Sequence, residues 1–82
     1  MIQFDMMNIS IDVGSPVPIY EQVVLEILRL VERGRFQPEK QLPPVREVAR
    51  DLGVNFNTVA RAYRILEEQG VVSVQQGRGT FV

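Results

Sequence analysis

Leu42-Pro-Pro-Val-Arg-Glu-Val-Ala-Arg-Asp-Leu-Gly-Val-Asn-Phe-Asn-Thr-Val-Ala-Arg-Ala-Tyr-Arg-Ile-Leu66, followed by Gly70 and by Gly77-Arg-Gly-Thr-Phe81, is the stretch from which the fold is read. Val45, Val48, Ala49 and Leu52 recur at i, i+3, i+4 and i+7, which puts them on one apolar face of a helix. Pro44 fits the first helical position, where its missing N–H would be unpaired anyway and its fixed φ suits the helix. Gly53 is the stop, because glycine enters the left-handed conformation without a Cβ penalty and lets the chain turn within three or four residues. Asn55 then caps a second helix, from about Phe56 to Gln69, in which Val59, Ala62, Tyr63 and Leu66 repeat the same apolar spacing.

The outer face of this second helix carries the chemistry. At about 100° per residue, Asn57, Arg61 and Arg64 fall together opposite the core stripe, with Thr58 at the edge near the helix start. These groups hydrogen-bond phosphates or base edges. The first turns of a recognition helix meet the major groove, so Asn57, Thr58 and Arg61 stand where bases would be read, and Arg64 stands a turn further on, toward phosphate. Arg46 and Arg50 lie one turn apart on an exposed flank of the preceding helix. Any one of these residues alone reads equally well as part of a solvated face. The helix pair, a polar face without carboxylates over the first turns of the second helix and the basic hairpin tip that follows form one connected geometry.

Downstream, Val71, Val72, Val74, Phe81 and Val82 have strand character, and Gln76-Gly77-Arg78-Gly79 is the turn between two strands. Gly77 and Gly79 supply positive φ and let the backbone approach a phosphate or groove closely. Arg78 is held at the tip, where an arginine reads the negative potential of a minor groove, although a plain solubilising turn has the same form. The expected fold class is mainly α with a small β-hairpin: a winged helix-turn-helix of three helices plus a wing at about 71–82.

The N-terminal half serves this fold. A helix from Pro18 or Ile19 to about Arg33 carries a wide apolar band, Gly34 ends it, and the segment from Arg35 to Lys40 is a connection. Tyr20 and Tyr63 read as core or rim packing. Ile65 lies outside the core stripe and either rests on the wing or marks a partner surface. Residues 1–15 form an N-terminal extension in which alternating Ile9, Ile11 and Val13 predict a short strand; residues 16–82 form the domain. Residues 1–8, with methionines at 1, 6 and 7, carry no motif and read either as a frayed end or as a self-association patch.

At this point the chain resembles the N-terminal DNA-binding domain of GntR-type transcriptional regulators. The resemblance rests on Pro18-Ile-Tyr-Glu-Gln22, Leu42-Pro43, Arg46-Glu47, Leu52-Gly-Val54, Asn57-Thr-Val59, Ala62-Tyr63, Leu66-Glu67, Gly70 and Gly77-Arg-Gly-Thr-Phe-Val82. It covers roughly residues 16 to 82 and is closest to the YtrA and MocR branches. It implies phosphate or base contacts for Arg46, operator contacts at Asn57 and Thr58, minor-groove contact around Gly77, and a repressor more than an activator. Three positions depart from the family pattern: Phe56 and Ala60 stand where many members have arginine, and Pro44 replaces a serine that would close a capping box with Glu47. By the same resemblance, an effector or dimerisation region would follow Val82.

Composition bounds the alternatives. Eighty-two residues fit one domain with a modest core. With no cysteine and no histidine, no clustered carboxylates and no phosphate loop, the chain offers no base, nucleophile or metal ligand, so neither an enzyme nor a cofactor, pyridoxal phosphate included, is expected. No apolar run spans a bilayer and no leader pattern opens the chain, so a cytoplasmic protein is expected. The net charge of −1 is not the basic footprint of a nucleic-acid binder. It divides, however, into −2 for residues 1–40 (six acidic, four basic) and +1 for residues 41–82 (four acidic, five basic). So few cations imply weak binding by one copy and a homodimer on a palindromic double-stranded operator. The competing reading is a winged-helix protein–protein interaction module, since fold alone does not set function.

Overall fold

A computed structural model describes residues 9–34, 36 and 38–82. Three helices precede a hairpin: α1 Ile19–Glu32, α2 Val45–Leu52, α3 Phe56–Glu68, then the antiparallel strands β1 Ser73–Gln75 and β2 Gly79–Phe81. The wing is in register Ser73 opposite Phe81, Val74 opposite Thr80 and Gln75 opposite Gly79.

α3 is the central element and packs against both α1 and α2. Its stripe Val59, Ala62, Tyr63 and Leu66 is buried, and it meets Val23, Val24, Ile27 and Leu30 from α1 and Val48 and Ala49 from α2. Helices α2 and α3 are therefore clamped by their apolar faces, which leaves their polar faces outward. Each boundary has a local cause. Gly53 caps α2 at φ 70°, ψ 32°, the left-handed conformation expected of it. Asn55 caps α3, its side chain accepting from the Asn57 N–H at 2.7 Å.

Pro44 stands one position earlier than the first helical turn expected of it. It is the N-cap of α2, in extended conformation with ψ 147°, and its carbonyl accepts from the N–H groups of Glu47 and Val48. No side chain caps that helix, as the missing serine implies. Tyr63 reaches the same junction from across the core: its hydroxyl donates to the Pro43 carbonyl at 2.6 Å and ties α3 to the entry of α2. Burial pushes its phenol well above the ordinary range, because the charged form would lose its water.

Three segments differ from expectation. The strand predicted over Ile9, Ile11 and Val13 is not formed. Asp12 instead has both backbone groups satisfied by one side chain, the Gln22 carboxamide, which accepts from its N–H at 2.8 Å and donates to its carbonyl at 3.0 Å. Ile9 and Ile11 still pack on the core while Val13 is exposed, so this part of the N-terminal extension is bound to the domain. Residues 1–8, with their two open readings, lie outside the described residues.

Secondly, the end of the segment read as a plain connection pairs with the wing. Glu39 N–H donates to the Val82 carbonyl, Val82 N–H to that of Lys40 and Leu42 N–H to that of Thr80, at 2.8 to 2.9 Å, and Gln41 bridges to Phe81. The hairpin thus has a short third rung of backbone pairing. Thirdly, Val71 and Val72 lie in the turn after α3 and are tied back to it, both donating to the Leu66 carbonyl, so β1 begins only at Ser73.

Candidate nucleic-acid interface

The predicted reading residues share the outer side of the reader helices. Asn57, Arg61 and Arg64 are exposed on α3, Thr58 is half-buried at its first turn, and Arg46 and Arg50 are exposed on α2. Capping by Asn55 starts α3 at Phe56, and so sets the rotation that turns Asn57 outward and Val59 inward.

The arginines are not equivalent. Among the described residues, Arg46, Arg61, Arg64 and Arg78 make no ion pair, whereas Arg50 lies 3.8 Å from Asp51 in a pair whose side chains are 68% and 42% exposed. Such a surface pair is screened and worth little, so Arg50 keeps most of its reach. Arg61 is held differently: its guanidinium carbon stands 3.8 Å from the centroid of the Tyr20 ring at the start of α1. Stacking on a ring face fixes the plane of the guanidinium and leaves its N–H edge free for a bidentate partner. Tyr20, expected only to pack, therefore orients a predicted reader. Periodicity places Arg61 on the face but carries no signal for a partner on another helix.

The wing presents Gly77 and Arg78 exposed at its tip, in the three-residue turn from Gln76 to Arg78. Gly79 already belongs to β2, one residue later than the turn expected to include it. Both glycines have positive φ, 77° and 127°. The Arg78 guanidinium reaches over the Phe81 ring at 5.8 Å. Its carbonyl accepts from Gln41 Nε2 at 3.1 Å, so the side chain just before α2 steadies the wing tip. Gln41 is the second residue that sequence reasoning missed, because its partner is distant in the chain. An open groove of about 330 Å³ runs along the wing between Glu39, Ser73, Gln75, Arg78, Phe81 and Val82.

Phe56 opens α3 and is 49% exposed. An aromatic ring left half in water at the tip of the reading helix has no role in the core. Among the described residues no group of acidic side chains is arranged to hold a metal ion, and no helix is long and apolar enough to cross a membrane.

Known proteins share both the sequence and this geometry. The family profile described as "Bacterial regulatory proteins, gntR family" matches residues 19–82. The "HTH-type transcriptional repressor YtrA" of Bacillus subtilis is 42% identical over 74 residues, which are 90% of this chain and 57% of that protein. The chain thus spans little more than half the length of that relative. Among solved structures, YtrA from Sulfolobus acidocaldarius, a GntR-family transcription factor, superposes with a TM-score of 0.86 at 42% identity, over 90% of this chain and 78% of that one. The DNA-binding domain of AraR in complex with operator ORX1 does so with a TM-score of 0.82 at 30% identity, over 90% of this chain and 95% of that one.

Proposed function

The chain belongs to the gntR family of bacterial regulatory proteins, and on that premise we propose that it reads a palindromic operator as a homodimer within a cytoplasmic repressor. The family places a winged helix-turn-helix DNA-binding domain here; operator symmetry, repression, pairing and the role of each residue are the further steps. α3 enters the major groove with Asn57, Thr58 and Arg61 toward bases. Arg46, Arg50 and Arg64 bind phosphates and set the register, and Gly77 and Arg78 meet the adjacent minor groove.

The observation that carries this reading is the set Asn57, Arg61 and Arg64 on the exposed side of α3, without a carboxylate over the first turns of the helix and with no ion pair among the described residues. The likeness to a domain solved on its operator and the repressor name of a relative 42% identical support it. With transcriptional regulators as relatives and no group of side chains able to hold a metal ion among the described residues, the reading includes no catalysis.

Selection from a random duplex pool at low salt, followed by sedimentation of the bound species, tests it. Recovery of a palindrome carrying two copies is the expected result. Sequence-blind binding by single copies would place pairing outside residues 1–82, and no binding at low ionic strength would favour the protein–protein module instead.

A further inference from the structure

Phe56 is a large apolar side chain in the wrong place for packing and the right place for reading. It is the first residue of α3 and follows directly on the cap residue Asn55. It is 49% exposed, while the core stripe of the same helix begins three residues later with Val59, fully buried. Its sequence neighbour Asn57 is exposed, and Ala60, one turn on and on the same side, is half-buried. The start of the helix therefore offers an apolar strip, the Phe56 ring backed by the Ala60 methyl, beside an amide that can pair with adenine N6 and N7. In the major groove only one base presents an apolar group, the C5 methyl of thymine, and phenylalanine and alanine are among the side chains that take it.

We propose that Phe56 is a specificity-determining residue that packs on a thymine 5-methyl group, with Ala60 flanking it. The inference rests on the reading of α3 as the major-groove helix. It accounts for a half-exposed aromatic beside the amide of Asn57 and the guanidinium of Arg61, because that ring gains its cover only when DNA is bound. Contact with the methyl makes the operator thymine-bearing at the position facing the helix start, next to the base read by Asn57.

The test uses the duplex recovered by selection from a random pool, resynthesised with deoxyuridine replacing each thymidine in turn. This replacement removes one methyl and leaves Watson–Crick pairing intact. Loss of one buried methyl is expected to weaken binding about fourfold per site at one thymidine position. Phe56→Ala is expected to bind the thymidine and deoxyuridine forms of that position equally; the exposed site leaves folding intact, which circular dichroism checks. Phe56→Arg, selected afresh, is expected to exchange thymine for guanine there, because arginine pairs with guanine O6 and N7. If the wild-type chain holds its selected duplex specifically yet binds every deoxyuridine form equally well, the inference is overturned and the regulator reading stands. A deoxyuridine penalty that persists in Phe56→Ala also overturns it, since another residue then reads the methyl. If no duplex is enriched at all, the regulator reading fails and this inference fails with it.

Discussion

Arg61 shows how one side chain is made selective by another. Alone, an exposed arginine has many rotamers and loses them on binding; stacked 3.8 Å over Tyr20, it is already close to one orientation, so less entropy is lost when its N–H edge meets a base. Arg61→Ala is expected to weaken operator binding by about 1–3 kcal/mol and to relax base preference. Equal losses on operator and scrambled duplex would show that it touches only phosphate. Tyr20→Ala should reproduce part of the loss and Tyr20→Phe almost none, because the ring face and not the hydroxyl holds the cation; titration of the three variants against one duplex decides this. Tyr63 acts on stability. Removing its hydroxyl in Tyr63→Phe leaves the Pro43 carbonyl without its donor and should cost about 1 kcal/mol in urea unfolding at neutral pH. Its phenol is raised in the folded chain by burial. Below about pH 10 the phenol is protonated in both states and nothing changes; above it the unfolded chain ionises first, so stability falls by up to about 1.4 kcal/mol per pH unit. Tyr63→Phe should lack that alkaline decline. The rotation of Asn57, Arg61 and Arg64 outward was legible from periodicity alone, whereas the Tyr20 and Pro43 partnerships join residues far apart in the chain, and periodicity is blind to them.

Capping and backbone pairing decide the elements. α3 has a side-chain cap and α2 has none, so Asn55→Ala should cost about 1 kcal/mol and Asn55→Ser very little; thermal melts of both variants check it. The same substitution should blunt recognition, since the cap sets where Phe56 and Asn57 begin the helix. In the wing, Gly79 has φ 127°, and a Cβ there would overlap Gln41 Nε2, the group that holds the Arg78 carbonyl. Gly79→Ala should therefore cost roughly 1–3 kcal/mol, the range for a strained backbone position. Adding Gln41→Ala should relieve the overlap but not the strain, and a double variant as stable as wild type would contradict this. Helices α1, α2 and α3 and both glycine stops were legible because apolar spacing and left-handed caps are local signals. The rung made by residues 39–42 was not: a short, proline-flanked segment has no strand pattern, and its partner β2 lies at the other end of the chain. The alternation of Ile9, Ile11 and Val13 misled for the converse reason. Alternation describes a strand that has a partner, and here the Gln22 carboxamide takes the partner's place.

For the whole molecule the argument is electrostatic, and the small number of cations sharpens it. Residues 41–82 hold five arginines, Arg46, Arg50, Arg61, Arg64 and Arg78, in a chain of net charge −1. Neutralising a phosphate releases counterions in proportion, so if these five arginines alone meet phosphates, one copy gives a log–log salt slope of about −4.5 and two copies about −9. A steeper slope than the first value then points to a second copy or to the cations of residues 1–40, Arg29, Arg33, Arg35 and Lys40, and the copy number is settled separately. One substitution counts the copies independently of any assumption about the other four. Arg46 is exposed and free of ion pairs among the described residues, so Arg46→Ala should leave the fold unchanged and flatten the slope by about 0.9 if one chain binds and by about 1.8 if two do. Measured across 50 to 200 mM salt by anisotropy, with sedimentation of the same samples, a change near 1.8 together with a doubled mass would assign both phosphate contact and pairing to this chain. A change near 0.9 with a single copy would keep Arg46 on phosphate and place pairing outside residues 1–82. An unchanged slope would remove Arg46 from the interface and shift the register-setting role to Arg50 and Arg64, the remaining guanidinium groups assigned to phosphate.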